Sequence, residues 1–233
     1  MKNVLVTRQA EQSVEFINLL SKNGFYPFIL PLIQTLPVEF ETEHNNYDFI
    51  VFPSVNAVKY FLQSKNKICF NHIVSVGSKT AEYLKNLGFT SDYVPNKFSS
   101  EGLTKLFEDM EITDKTFLLP GPEKRKNEFY KFLLSKKCYA EILIVYKTLS
   151  VKYEAGYIEK FIDENKIDIV TFASPSAAKS FFSQIIDIKR ELKFVSIGTT
   201  TYNYLKTLGI DSIYPNKFTT AKMVELIKEK FGN

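Results

Sequence analysis

One block of sequence occurs twice in this chain, and that repetition constrains the fold more than any other feature. The first copy opens Asp48-Phe49-Ile50-Val51-Phe52-Pro53-Ser54-Val55-Asn56-Ala57-Val58-Lys59-Tyr60-Phe61. The second opens Asp168-Ile169-Val170-Thr171-Phe172-Ala173-Ser174-Pro175-Ser176-Ala177-Ala178-Lys179-Ser180-Phe181, and six of the 14 aligned positions are identical. Val74-Ser75-Val76-Gly77-Ser78-Lys79-Thr80 then answers Val195-Ser196-Ile197-Gly198-Thr199-Thr200-Thr201. Pro95-Asn96-Lys97-Phe98 returns unchanged as Pro215-Asn216-Lys217-Phe218. The offset stays at 120 or 121 residues, far beyond the roughly 20–50-residue period of a solenoid. A domain-sized duplication follows, so the 233 residues hold two domains.

Within each copy, short apolar runs alternate with amphipathic stretches. The spacing predicts strands at 48–52, 72–76 and 92–94, with helices at 55–63, 78–87 and 100–109. The second copy predicts strands at 168–172, 194–197 and 212–214, with helices at 175–183, 199–207 and 219–230. Outside the copies, Val4-Leu5-Val6 reads as a strand, and Val14, Ile17 and Leu20 mark a helix that Gly24 ends. Phe25 to Leu30 reads as a further strand. Pro31 and Pro37 bracket an extended connector, and Glu39 to Asn46 reads as a loop. Thr116 to Leu119 is a predicted strand that Pro120-Gly121-Pro122 breaks. Glu123 to Lys136 is helical in pattern, Glu141 to Val145 is a strand, and 153–164 is a polar helix. Continuous apolar strands such as Ile142-Leu143-Ile144-Val145 belong to parallel sheets covered on both faces. The expected class is therefore α/β, with two similar open parallel-sheet domains of about five strands each. Ligands of such sheets bind beyond the carboxyl ends of the strands.

Composition narrows the function. Hydrophobic residues make up 45% and charged residues 24%, as in ordinary globular proteins. The net charge of +4 is dispersed. It argues against a nucleic-acid partner, whose footprint gathers charge on one face. It suits either a small polyanion or a solvated lysine-rich surface. Cys69 and Cys138 are too few for a disulfide framework and unsuited to a metal site. The amino-terminal run reads as a strand, not a signal peptide, and no apolar run nears the roughly 18 residues of a membrane span. A cytoplasmic protein without membrane contact is expected.

The chemistry gathers at the carboxyl ends. Each strand of the repeat is followed by a hydroxyl-rich turn that opens a helix: Ser54 and Asn56; Gly77, Ser78 and Thr80; Ser99 and Ser100; Ser174 and Ser176; Gly198, Thr199, Thr200 and Thr201; Thr219 and Thr220. Any one of these is an ordinary helix cap. Six at one edge, joined by Thr7 and Arg8, would favour carboxylates or phosphates. Gly77 and Gly198 would let a ligand approach the backbone. No nucleotide-binding signature is present, so carboxylate is the better match. His44 and His72 stand away from this edge, and no nucleophilic triad or metal cluster can be assembled. An enzyme built this way works by orienting a reactive substrate. Tyr146, ending the strand Ile142 to Val145, is the one candidate acid. At that position it could equally be a packing residue or a hinge anchor.

These residues together resemble the uroporphyrinogen-III synthase family along essentially the whole chain. The marks are Val6-Thr7-Arg8, the Pro31 connector, Asp48 to Ser54 with Asn56-Ala57-Val58, and Val76-Gly77 with Thr80-Ala81. They continue with Gly121 and Arg125, Val145-Tyr146-Lys147-Thr148, Phe172 to Ser176, and Ile197-Gly198 with Thr200-Thr201. The resemblance implies a discontinuous domain of 1–34 plus 149–233 and an inserted domain of 38–146. A two-stranded connector near 31–38 and 145–150 would join them, with a cleft between them. It implies closure of the linear tetrapyrrole hydroxymethylbilane to uroporphyrinogen III, with loss of water and inversion of ring D through a spiro intermediate. No metal or organic cofactor is implied. Tyr146 matches the family tyrosine that assists departure of hydroxide. Thr80, Thr200 and Thr201 match cleft threonines, and Ser54 and Ser174 match serines at the cleft edge. Arg8, Lys97, Arg125 and Lys217 are candidate electrostatic helpers. Pro120-Gly121-Pro122 and Tyr202 depart from the family pattern. A monomer is expected, and a transient contact with the preceding deaminase is left open. The same fold also suits a non-catalytic two-lobed binding protein or regulator for a small polycarboxylate or tetrapyrrole.

Overall fold

The computed structural model describes residues 1–64 and 67–232; Lys65, Asn66 and Asn233 lie outside the described residues. The chain opens with β1 (Asn3–Val6), a short 3-10 turn, α1 (Val14–Lys22) and β2 (Tyr26–Ile29). Then come β3 (Ile33–Pro37), β4 (Asn46–Phe52), α2 (Val55–Leu62), β5 (Cys69–Ser75), α3 (Ser78–Asn86) and α4 (Ser100–Phe107). β6 (Thr116–Pro122), α5 (Glu128–Ser135) and the 12-residue β7 (Tyr139–Ser150) follow. The chain closes with α6 (Tyr157–Glu164), β8 (Ile169–Phe172), α7 (Pro175–Phe182), β9 (Lys193–Ser196), α8 (Thr199–Thr207), β10 (Ser212–Ile213) and α9 (Thr220–Phe231).

The elements form two compact units, Met1–Gln34 with Leu149–Asn233, and Thr35–Thr148. The first holds a five-stranded sheet in the order β10-β9-β8-β1-β2, parallel throughout. The second holds β3-β7-β6-β4-β5, in which β7, β6, β4 and β5 run parallel. Beyond β5 an isolated parallel bridge joins Val74 to Tyr93, at the place β10 takes in the first sheet. The two sheets therefore share one spatial order with the chain entering at different strands. β8, β9 and β10 correspond to β4, β5 and the Tyr93 bridge, while β1 and β2 correspond to β6 and β7. In both sheets the order reverses beside the central strand, at β1/β8 and at β6/β4, which is where open α/β sheets take ligands.

Side-chain alternation explains why helices cover both faces. Ile50 and Phe52 of β4 pack with α2 and α3, whereas Phe49 and Val51 pack with Leu103, Phe107, Phe129 and Leu133 of α4 and α5. In the first unit Val170 and Phe172 meet α6, α7 and α8, while Val4, Val6 and Ile169 meet α1 and α9. Phe117 is fully buried and stacks on Phe49 with ring centroids 4.6 Å apart. Truncating such a ring to alanine costs about 3–5 kcal/mol.

The repeated aspartates lock the amino ends of the strands. Asp48 Oδ2 accepts from the Thr116 amide and from its hydroxyl, each at 2.9 Å. Asp168 Oδ2 accepts from the Asn3 amide at 2.8 Å, and its Oδ1 accepts from Arg190 at 2.8 Å. Each aspartate thus ties the central strand to the first residue of β6 or β1.

Three local expectations are corrected. Pro120-Gly121-Pro122 does not break the strand: β6 continues along β7, with an irregularity between Gly121 and Pro122. Its ladder to β4 ends at Leu118, so the prolines lie on a one-sided stretch where a missing N–H is tolerated. The helix predicted over Glu123 to Lys136 begins only at Glu128. Glu123 instead donates its amide to Tyr146 O at 3.0 Å, holding this turn against β7. The helix predicted over 153–164 begins at Tyr157, after Gly156 at φ 78°. Before that glycine, Tyr153 is spent on hydrogen bonds to Pro31 O and Gln184.

Candidate functional site

Tyr146 stands on β7 near the carboxyl end of the second sheet, only 7% exposed. Its ring stacks on that of Tyr60 from α2, with centroids 5.3 Å apart and planes at 29°. Tyr60 is itself held by Thr35, donating to the Thr35 carbonyl at 2.8 Å and sharing a 2.7 Å hydrogen bond with its hydroxyl. Ser54, the residue that caps α2, stands beside the Tyr146 phenol. Burial pushes this phenol above its ordinary range, and Tyr60 adds to the rise; Ser54 and the nearby Arg125 guanidinium pull it back. The net shift is upward, so Tyr146 keeps its proton at neutral pH and can give it.

Arg125 reaches this place because the turn before α5 is not helical. Its Nη1 donates to Leu119 O at 2.6 Å and its Nη2 to Leu143 O at 2.9 Å, bridging β6 and β7 near their carboxyl ends. Burial pulls the guanidinium down and Tyr146 opposes that, but an arginine stays charged. Gly121 makes the room, since a Cβ there would lie 3.3 Å from Nη1 of Arg125 and 3.5 Å from Pro53. Tyr146, Ser54, Arg125 and Gly121 are thus brought together within one unit.

The helix starts divide into two kinds. Ser54, Ser99, Ser174 and Thr219 turn their hydroxyls back onto their own helices, accepting from the amides of Ala57, Gly102, Ala177 and Lys222 at 3.2–3.3 Å. α3 and α8 begin at Gly77 and Gly198 without a side-chain cap. Those two turns lie at corresponding strands. Ser78 and Thr200 are exposed beside them, with Thr199 half-buried. Thr80 and Thr201 are turned into the core at 4% and 2% exposure. Asn56 is half-buried and Ser176 exposed in the first turns of α2 and α7.

Gly77 and Gly198 serve first as floors for the chain's own aromatic rings. Phe98 lies over Gly77 and Phe218 over Gly198, and both rings remain 59% and 56% exposed. The unchanged Pro-Asn-Lys-Phe segment was the signal for this pairing. Tyr60 was also missed, although the repeat marks it: its counterpart is Ser180.

Arg8 sits at the end of β1 in the other unit, its Nε donating to Gln12 at 3.0 Å. Burial lowers the guanidinium and Glu15 opposes this. Arg8 lines a cavity of about 10 Å³ together with Thr7 and Thr220, enough for one water. Lys97 is paired with Glu101. Among the described residues no group of three His, Cys, Asp or Glu side chains could hold a metal, and no helix is long and apolar enough to cross a membrane.

A family model described as uroporphyrinogen-III synthase HemD matches residues 14–225 of this chain. A relative from Chlorobaculum parvum named uroporphyrinogen-III synthase is 27% identical, covering 98% of this chain and 99% of its own. Among solved structures, uroporphyrinogen-III synthetase from Helicobacter pylori superposes with a TM-score of 0.69 at 18% identity, over 98% of this chain and 99% of that one. A mutant uroporphyrinogen III synthase from Thermus thermophilus gives 0.60 at 16%, over 98% of each chain. These two likenesses show the two-domain α/β fold.

Proposed function

The chain belongs to the uroporphyrinogen-III synthase family, and from that premise we propose that it closes hydroxymethylbilane to uroporphyrinogen III, with Tyr146 as the acid. The observation that carries the reading is a buried, protonated phenol at the strand ends, set between Ser54, Tyr60 and Arg125. The pyrrole nitrogen of the substrate supplies the electrons that expel the hydroxyl. Tyr146 donates the proton or hydrogen bond that lets the hydroxyl leave as water. The uncapped helix start at Gly77, in the same unit as Tyr146 and with Ser78 beside it, takes a carboxylate of the substrate. The remaining chemistry is positioning. A cytoplasmic monomer that needs no cofactor accompanies this reading.

The test is a coupled assay. Hydroxymethylbilane is generated enzymatically, the protein is added without metal or cofactor, and the oxidised porphyrin isomers are separated by chromatography. Predominant isomer III is the expected result. Isomer I alone, the product of spontaneous closure, overturns the reading.

A further inference from the structure

Regular strand alternation does not account for where Tyr146 points. Along β7, Ala140 and Ile142 pack on the side of α4 and α5, whereas Leu143 and Val145 pack on the side of α2. A period of two, continued without interruption, sends residue 146 to the α4 and α5 side. Tyr146 instead packs with its own neighbour Val145 in the cluster around α2. The register gives the reason. Gly121 stands opposite Ile144 but Pro122 stands opposite Tyr146, so β7 carries one residue more than β6 at this point. The main chain agrees. The Val145 carbonyl turns away from β6 and accepts from the Val38 amide at 3.0 Å, while the Tyr146 carbonyl accepts from the Glu123 amide at 3.0 Å. A bulge of this kind re-aims a side chain and disrupts the ladder that would otherwise steady it.

Steadying the re-aimed ring falls to its neighbours, and Tyr60 is placed to do it. Its ring stacks on that of Tyr146 at 5.3 Å and is 8% exposed. Its hydroxyl donates to the Thr35 carbonyl at 2.8 Å and shares a 2.7 Å hydrogen bond with the Thr35 hydroxyl. The ring is therefore held at its base by α2 and at its tip by β3. The fold itself does not demand a phenol here, because the other copy of the repeated block carries the fully buried Ser180 at the same helical position. Of the two copies, only the one in the unit of Tyr146 has the tyrosine. We propose that Tyr60 is a positioning residue for the acid, holding the Tyr146 phenol in the direction that reaches the leaving hydroxyl. Tyr60 acts through Tyr146 and not on the reacting atoms, and a small error in that direction is costly to rate. This inference rests on the function proposed above.

The test is a double-mutant cycle read in the coupled assay. Tyr60→Leu removes the stacked ring and should lower kcat by about ten-fold or more, with KM within about two-fold of the parent. Tyr60→Phe restores the ring without the Thr35 bonds and should recover part of the rate, leaving a loss of about three-fold. In a Tyr146→Phe background neither change should lower the residual kcat by more than about two-fold, since the group being positioned is gone. An unchanged kcat in Tyr60→Leu, or the same loss with and without the Tyr146 phenol, overturns the proposal. If Tyr60→Leu fails to fold, Tyr60→Phe decides by the same comparison. A second measurement does not need turnover. With the oxygen-bearing ring carbon of tyrosine labelled with carbon-13, Tyr146 should give one narrow resonance in the parent and a broadened or split one in the Tyr60 variants. A line equally narrow in the variants overturns the positioning role. If the parent forms no isomer III, the proposed reaction fails, and this spectrum still decides whether Tyr60 sets the direction of Tyr146.

Discussion

Tyr60 and Tyr146 stack at 5.3 Å, and Tyr60 is anchored by two hydrogen bonds to Thr35. The phenol of Tyr146 is therefore fixed in direction before any substrate arrives. Tyr146→Phe keeps the stacked ring and removes only the hydroxyl. We expect kcat to fall by about 10²-fold or more, the usual contribution of a positioned acid, with KM little changed. An unchanged kcat removes Tyr146 from the mechanism.

The upward shift of Tyr146 fixes a pH dependence. Burial favours the neutral phenol, so the group remains a proton donor past the ordinary tyrosine value of about 10. Arg125 works in the opposite direction, so Arg125→Met should push the phenol further up. Carbon-13 labelling of the tyrosine ring carbon that bears oxygen reads both titrations. A Tyr146 midpoint at or below 10, or one that falls in the variant, contradicts this electrostatic account.

Much of this was legible in the residues. The duplication and the two α/β sheets follow from periodicity and from the repeat, but the strand expected to end at Tyr146 runs on to Ser150. What escaped were features that depend on contacts distant in sequence. Glu123 to Asn127 carries a helical composition, but the bond from Glu123 N to Tyr146 O overrides that propensity. Pro120 and Pro122 look like strand breakers, and only the short ladder between β4 and β6 makes them tolerable. Nothing local shows that Phe98 and Phe218 fold back over Gly77 and Gly198.

The two copies of that glycine floor should respond differently to a methyl group. At Gly77 an added Cβ would lie 3.7 Å from the Phe98 ring, an ordinary contact, whereas at Gly198 it would come within 2.8 Å of Phe218. Gly77→Ala should stay within about 0.5 kcal/mol of the parent. Gly198→Ala should cost about 1–3 kcal/mol through overpacking. Because the ring is the obstacle, Phe218→Ala in the same chain should recover most of the loss. A double-mutant cycle by urea unfolding measures this, and equal costs at the two glycines would refute it.

Asp168 gives the fold an acid-sensitive clasp. Burial alone would raise its carboxyl, but the Asn3 amide and the Arg190 guanidinium outweigh burial and hold it below the usual range. A depressed folded-state pKa contributes stability that is complete above the unfolded value of about 4. That stability is lost as pH falls through the folded value. Asp168→Asn removes the charge while keeping the shape. At pH 7 it should cost about 1.5–3 kcal/mol, the range for hydrogen bonds to charged groups. The melting temperatures of parent and variant should converge as pH falls below 4. A gap that persists undiminished into that range would show that the carboxylate's charge is not what joins β8 to β1.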